Sequence, residues 1–210
     1  MKTLLVVSCG LCSLAVSSLL YAQNPTPTQI KIAQTNHNKH CPKDLPSALF
    51  DAKKLKNYQI KWQVQKGLIS SAQHGANSDQ SALAHLVESA NTAQNLSFKI
   101  TQSGCEFVNE QLEIDLPLSL VEKNSKFCNE CLIQQLKSLK PYFLEDRGGL
   151  LMNSIETLNH YLQSQKIRIK HEYIDPEGGE MAHSITVDQM QKIPEQKIWR
   201  IQLTASIGPL

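Results

Sequence analysis

The sequence predicts an α+β fold in which an antiparallel sheet packs against paired helices on one face. Several segments carry apolar residues at every second position, the pattern of strands with one buried face. Two helical patterns follow one another between 125 and 162 with no strand between them, which disfavours a doubly wound parallel sheet. A chain of 210 residues with 41% hydrophobic residues can bury one core or two small ones.

The first 22 residues have the pattern of a secretory signal peptide. Lys2 supplies a positive start, Leu4 to Leu20 form an apolar core, and Ala22 ends a small-residue cleavage site. An uncleaved membrane anchor and a lipoprotein modified at Cys9 are the alternatives. We therefore expect a secreted bacterial protein of the periplasm, with no membrane span after cleavage.

The charge balance excludes some partners. Lysine and arginine number 21 against 19 aspartate and glutamate, a formal net charge of +2, and like charges do not occur in blocks. A nucleic-acid backbone or an anionic membrane surface would require a basic patch. We expect no nucleic-acid partner.

Four cysteines lie beyond the predicted leader: Cys41, Cys105, Cys128 and Cys131. An even number in an oxidising compartment predicts two disulfides. The pairing that we favour joins Cys105 to Cys128 or Cys131, and so attaches a strand to a helix, with Cys41 bonded to the other. The alternative joins Cys41 to Cys105 and Cys128 to Cys131.

Residues 23–46 are predicted to be a flexible linker, because four prolines block regular structure. His37, His40 and Cys41 lie in this stretch, but no second set of ligands follows at metal-binding spacing. The linker is therefore not assigned a metal site.

Residues 47–104 are predicted to form a β-α-β segment. Apolar residues alternate from Tyr58 to Val64 as in a strand, and those from Ala82 to Ala90 fall at helical spacing after Ser78, a candidate N-cap. His85 lies beside that helical stripe and is assigned a structural role. A hairpin is expected from Leu96 through Phe107.

Residues 105–210 are predicted to form a second α+β module. Alternation from 112 to 120 predicts a strand, and Pro117 places it at a sheet edge or ends it there. Helices are expected over about 125–139 and 151–162, then strands at 167–173, 185–187 and 198–203. The order is strand, helix, helix, strand, strand.

This order comes with a family resemblance over about residues 105–187. Cys105-Glu106-Phe107-Val108 leading into Leu112-Glu113-Ile114, then 155–162, 167–173 and the turn 175–179, resemble the POTRA module of two-partner-secretion transporters. The chain stops at Leu210 without room for the outer-membrane barrel of that family, and glycines expected near Lys166 and Asp115 are missing. The resemblance implies a stand-alone relative that binds polypeptide.

Cys128-x-x-Cys131 is the one motif with a reaction attached. Thiol-disulfide oxidoreductases carry this spacing at a helix N-terminus after a strand, but Phe127 and Leu132 are not the flanks typical of those enzymes, so structural disulfides are favoured. We assign no catalytic residue, cofactor or metal. The carboxylates Glu106, Glu113, Asp115, Glu177 and Glu180 are expected at the surface, and Trp62 and Trp199 in the core or on a sheet face.

The leading functional hypothesis is an exported periplasmic module that binds polypeptide or assists envelope assembly through protein-protein contact. An exposed sheet edge near Pro117, or the strands around 198–203, would pair with the partner's backbone. One alternative is a thiol-disulfide oxidoreductase that uses Cys128 and Cys131. A second is a periplasmic chaperone or an inhibitor of one cognate protein.

Overall fold

The fold is built on an antiparallel sheet whose strands run in the order β1-β2-β3-β4-β9-β8-β7. These seven strands are β1 Lys56–Gln65, β2 Leu83–Asn91, β3 Ser97–Ser103, β4 Val108–Pro117, β7 Glu172–Ile174, β8 His183–Ile193 and β9 Ile198–Ile207. Together with the helices below, they confirm the predicted α+β class.

Helices and a small hairpin occupy the connections. The helices are α1 Pro27–His40, the single-turn α2 Leu118–Val121, α3 Asn129–Lys137 and α4 Gly149–Leu162; the hairpin pairs β5 Glu122–Lys123 with β6 Lys126–Phe127, and 3-10 turns lie at Ala52–Lys54, Lys140–Tyr142 and Pro194–Gln196.

This computed structural model describes residues 24–41, 44–65, 82–105, 108–145, 147–179 and 182–207. The predicted leader 1–22, the N-cap Ser78 and Phe107 lie outside those ranges. Within them, no helix is both long and apolar enough to cross a membrane.

One face of the sheet forms the core with the helices. Alternate residues of β3, β4, β8 and β9 are buried against α3, α4 and the segments that flank them: Phe98, Ile100, Leu112, Ile114, Leu116, Ile185, Val187, Ile201, Leu203 and Ala205. The other face of the same strands is polar, with Arg200 donating two hydrogen bonds to Asp115 (2.7 and 2.8 Å) and Thr204 donating to Asp188 (2.6 Å). This sidedness is the period-two pattern that the sequence predicted.

The helix predicted from Ala82 to Ala90 is wrong, because this segment is strand β2. Six consecutive residues from Leu83 to Glu88 are buried, so side chains on both faces of the strand are covered. A strand buried on both faces has a continuous apolar run, which periodicity alone does not distinguish from a buried helix.

The prediction that prolines prevent regular structure in 23–46 is also wrong. Helix α1 occupies Pro27–His40, and it starts with a capping box in which Thr26 and Gln29 bond each other's backbone N–H. Pro27 is in the first turn, where no backbone donor is needed. Ala33 of this helix is fully buried and packs with Ala82 and Ala84 at the β1–β2 end of the sheet.

Most other elements lie where the sequence placed them, with three differences. The strand expected at 167–173 is only the three residues of β7, and Lys170 just before it has a positive φ of 58°. Cys128, not Ser125, caps α3. β3 and β4, on either side of the predicted module boundary at 104/105, are paired neighbours in the sheet.

Two disulfides are present, as predicted, but the favoured pairing is wrong. Cys41 bonds Cys105 (Cα–Cα 4.7 Å) and Cys128 bonds Cys131 (Cα–Cα 5.2 Å). The reason is tertiary: α1 packs against the β1–β2 end of the sheet, and its C-terminus lies beside the β3–β4 connection, with Cys105 Sγ 3.8 Å from the His40 carbonyl oxygen.

The two disulfides are expected to contribute unequally to stability. Cys41–Cys105 joins residues 64 positions apart and Cys128–Cys131 joins residues 3 apart, so the chain-entropy model gives about 4 and about 2 kcal/mol respectively. Urea unfolding should show that Cys41→Ser/Cys105→Ser lowers the free energy of unfolding more than Cys128→Ser/Cys131→Ser. Equal losses, or the reverse order, would contradict this assignment.

Candidate functional site

A groove of about 770 Å³ lies at one end of the core face, where β8 and β9 extend past the helices. Met190 and Trp199 of these strands lie between two groups of residues. On one side are Phe127 and Cys128, at the junction of β6 and α3, and on the other are the end of α4 and the chain after it. The second side consists of Leu162, Lys166, Ile167 and Ile169.

The groove is next to an unpaired length of strand edge. β7 pairs with β8 only from Ser184 to Thr186, and the last backbone bond on this side runs from the Lys170 N–H to the Val187 carbonyl oxygen (2.8 Å). From Gln189 to Ile193, β8 pairs with β9 alone among the described strands. The backbone groups on its outer side therefore pair with no described strand, and an edge of this kind can pair with another chain.

A bulge marks the point where pairing stops. The register of β8 against β9 shifts between Val187 and Gln189, so one extra residue, Asp188, is inserted in β8. Its carboxylate accepts a hydrogen bond from the Thr204 hydroxyl on the polar face. A bulge bends the strand and increases its local twist, and the pairing of β8 with β7 ends before this point.

Trp199 is held in a fixed orientation. Its ring makes an edge contact with Phe127, with centroids 5.0 Å apart, and its Nε1 donates to Glu122 Oε1 at 2.9 Å. Lys192 Nζ also donates to that oxygen, at 2.6 Å. These hydrogen bonds from Lys192 and Trp199 lower the pKa of Glu122, so the carboxylate stays ionised and keeps the indole in place.

Lysines dominate the rim. Lys123, Lys126 and Lys166 line the groove together with one carboxylate, Glu130, which is 3.7 Å from Lys123. Lys126 and Lys166 form no ion pair with any described residue. The groove therefore combines an apolar interior with a positively charged edge.

The Cys128–Cys131 disulfide borders the groove at the start of α3. Cys128 is the N-cap residue, is half-buried and lines the groove, and its Sγ accepts a hydrogen bond from the Cys131 N–H at 3.1 Å. Cys131 is only 8% exposed. Cys131 is therefore buried, whereas Cys128 lines the groove.

The two sheet edges predicted as binding sites are not edges. β4 pairs with β9 over ten residues, from Val108 opposite Ile207 to Pro117 opposite Ile198, and β9 pairs with β8 on its other side. Pro117 is the last residue of β4, so the prediction that the strand could end at this proline is confirmed. The free edges in the described sheet are those of β1 and of β7 with the end of β8.

Two buried carboxylates could be mistaken for catalytic acids. Glu88 is fully buried and accepts hydrogen bonds from the Leu49 N–H (2.8 Å), the Phe50 N–H (3.2 Å) and the Tyr58 hydroxyl (2.7 Å). Gln102 Nε2 adds a fourth at 3.3 Å. With both oxygens occupied by protein donors, Glu88 connects the segment before β1 to the sheet and has a structural role.

Glu110 is the second buried carboxylate, 4% exposed on the core face of β4. It accepts a hydrogen bond from the Leu151 N–H in the first turn of α4 at 3.0 Å. Burial raises the pKa of Glu110 to about 7, although the Leu151 hydrogen bond acts in the opposite direction. This carboxyl group holds the start of α4 against the sheet.

The remaining candidate residues that the structure describes have ordinary environments, and Glu106 and Glu180 lie outside the described residues. Asp115 and Glu113 bond Arg200 and Gln202 on the polar face, and Glu177 is exposed in a turn. His85 is buried on β2, where burial and then the charge of His37 lower its pKa. Among the described residues, no group of three or more histidine, cysteine or carboxylate side chains is arranged to hold a metal ion.

The groove could not be predicted from the sequence because its residues are far apart in the chain. Phe127, Ile167, Met190 and Trp199 come from four different segments. Of these, Ile167 had been assigned to a strand and Trp199 to the core or to a sheet face. Ile169, which the sequence pattern placed inside a regular strand, lies in a turn and is 47% exposed. Comparisons with protein families, curated proteins and solved structures find no match for this chain.

Replacing Glu88 should destabilise the protein strongly. Glu88→Ala leaves two buried backbone N–H groups without an acceptor, and we expect a loss of about 3 kcal/mol or more in the free energy of unfolding. Glu195→Ala, at an exposed turn, is the matched control and should change it by less than about 0.5 kcal/mol. Similar urea midpoints for the two variants would show that Glu88 does not hold the segment.

Glu110 should make stability fall as the pH rises. Its pKa is about 7 in the folded protein against an ordinary value of 4.5, so between these values the folded state retains a proton that the unfolded state has released. The free energy of unfolding therefore falls by up to about 1.4 kcal/mol per pH unit in this window.

Glu110→Gln keeps a neutral side chain at every pH and should remove that slope. Thermal unfolding at pH 5 and pH 8 should show that the wild type loses more stability between these values than Glu110→Gln does. Glu113→Gln, on the polar face, controls for loss of a carboxylate. Parallel pH profiles for wild type and Glu110→Gln would contradict the raised pKa.

Proposed function

We propose that this protein binds polypeptide in extended conformation, in the groove beside the free edge of β8, as an exported periplasmic binding or envelope-assembly module. The observation that carries the proposal is that β8 continues from Gln189 to Ile193 with no described strand on its outer side. An extended segment of a partner can add to such an edge through backbone hydrogen bonds, which need no particular sequence.

The groove gives side-chain preferences to that pairing. In an added strand, successive side chains point to opposite faces. One set would enter the groove and contact Met190, Ile169 and Phe127, which favours apolar residues. The lysines that line the groove, Lys123, Lys126 and Lys166, favour a ligand of net negative charge. The proposed ligand is an extended segment with apolar side chains at every second position and a net negative charge.

Two sequence features support the cellular setting. The signal-peptide pattern of residues 1–22 and two disulfides suit an oxidising compartment outside the cytoplasm. The resemblance of about residues 105–187 to POTRA modules rests on the sequence. Polypeptide binding is also what that resemblance implies.

Fluorescence anisotropy with synthetic ten-residue peptides tests the proposal. A peptide that alternates valine with glutamate should bind at least about tenfold more tightly than one that alternates valine with lysine. Raising the ionic strength should reduce this preference, because the lysines are exposed. Methylating alternate amide nitrogens of the acidic peptide should abolish binding, because the side chains are kept while the backbone donors are lost.

Two isoleucine variants provide a matched pair. Ile169 lines the groove and Ile60 lies on β1 at the opposite edge, and both are 47% exposed. Ile169→Asp should weaken binding of the acidic peptide about tenfold, or ~1.4 kcal/mol, whereas Ile60→Asp should not. Equal effects of the two substitutions, or unchanged binding of the methylated peptide, would reject this site.

A further inference from the structure

We propose that the Cys128–Cys131 disulfide exchanges with cysteine thiols of a polypeptide bound in the groove. This inference rests on the proposed binding function and adds a reaction to it. Cys128 lines the groove, whereas Cys131 is 8% exposed and lies on the core side of α3. A sulfur that arrives through the groove therefore reaches Cys128 first.

This disulfide is expected to contribute less to stability than Cys41–Cys105 does. It joins residues 3 positions apart in the first turn of a helix, which the backbone already holds close together. The Cys41–Cys105 bond joins residues 64 apart and connects the end of α1 to the β3–β4 connection. Because the constraint that a disulfide places on the unfolded chain grows with the loop it closes, Cys41–Cys105 is expected to stabilise the fold more than Cys128–Cys131 does.

The surroundings of Cys128 favour its thiolate in the reduced protein. Cys128 is the N-cap of a nine-residue helix, and the Cys131 N–H points at its sulfur from 3.1 Å. Backbone donors and the dipole at a helix N-terminus stabilise a thiolate. Lys123 and Lys126 on the adjacent hairpin act in the same direction, while Glu130 acts against them and is partly neutralised by Lys123 at 3.7 Å.

The exchange proceeds in two balanced steps. A substrate thiolate attacks Cys128 Sγ, the Cys128–Cys131 bond breaks, and its electron pair leaves on Cys131 Sγ, which takes a proton from solvent. A second thiolate of the same substrate then attacks the substrate sulfur of this mixed disulfide and releases Cys128 as a thiolate. The substrate loses two electrons and gains a disulfide, and the cysteine pair becomes a dithiol.

Repeated turnover requires an oxidant for that dithiol. A small-molecule disulfide such as oxidised glutathione is sufficient in chemical terms, since it accepts the same two electrons through the reverse exchange. A peptide bound in the groove has its sulfur held close to Cys128, whereas a small thiol does not.

The test measures exchange rates with the purified, oxidised protein. The probe is the acidic ten-residue peptide with a central valine replaced by cysteine, and glutathione serves as a thiol that does not need the groove. Acid quenching, alkylation and mass spectrometry report the opening of each disulfide separately, with Cys41–Cys105 as the internal control. The rate per thiolate at Cys128–Cys131 should be at least about tenfold higher for the peptide than for glutathione.

The variants identify the site and the attacked sulfur. Ile169→Asp should remove the advantage of the peptide over glutathione, whereas Ile60→Asp, at the opposite edge of the sheet, should leave that advantage in place. Two variants, each with one cysteine of the pair replaced, identify the attacked sulfur. Cys131→Ser should form the mixed disulfide with an activated cysteine peptide at least about tenfold faster than Cys128→Ser.

Failure of this inference is distinguishable from failure of the binding proposal. If the cysteine peptide binds by anisotropy but opens Cys128–Cys131 no faster than glutathione does, or no faster than Cys41–Cys105 opens, the exchange reaction is rejected and polypeptide binding remains. If the peptide does not bind and its rate equals that of glutathione, both proposals fail.

Discussion

The width of the sheet is the constraint on which the other features depend. Seven strands spaced about 4.8 Å apart extend over about 29 Å, whereas two packed helices cover about 20 Å. Helix α4, with α3 beside it, packs over β8 and β9, so the remaining strands need other cover. Helix α1 provides it at the β1–β2 end, and the segment around Phe50, which stacks on Phe143, provides it over β3.

An irregular segment that covers a sheet has backbone N–H groups without helix or strand partners, and here buried glutamate side chains accept their hydrogen bonds. The N–H groups of Leu49 and Phe50 have no helix or strand partner, and Glu88 accepts from both. Glu110 does the same for Leu151 in the first turn of α4, where Gly148 at the N-cap has no side chain to offer. Both glutamates are on core faces of strands because the elements they secure pack there.

At the far end of the sheet the same constraint leaves the groove uncovered. β7 is too short to follow β8 beyond the bulge at Asp188, and the chain from Ile167 to Lys170 diverges from the strand. Apolar side chains such as Met190 and Ile169 therefore line the groove without a helix over them. They lie beside the end of β8 that has no described outer partner and beside the Cys128–Cys131 disulfide. The groove, the part of β8 without a described outer partner and the Cys128–Cys131 disulfide therefore lie together at this end of the sheet.

The sequence alone determined the α+β class, the alternating faces of β3, β4 and β9, and the helices α3 and α4, because local periodicity reports which side of an element is buried. It did not determine β2, whose two buried faces produce a helix-like apolar run, or α1, whose first turn contains Pro27. Disulfide pairing and the free edge were decided by tertiary structure. Cys41 meets Cys105, and β9 lies between β4 and β8, through contacts between residues far apart in the chain, which no local pattern encodes.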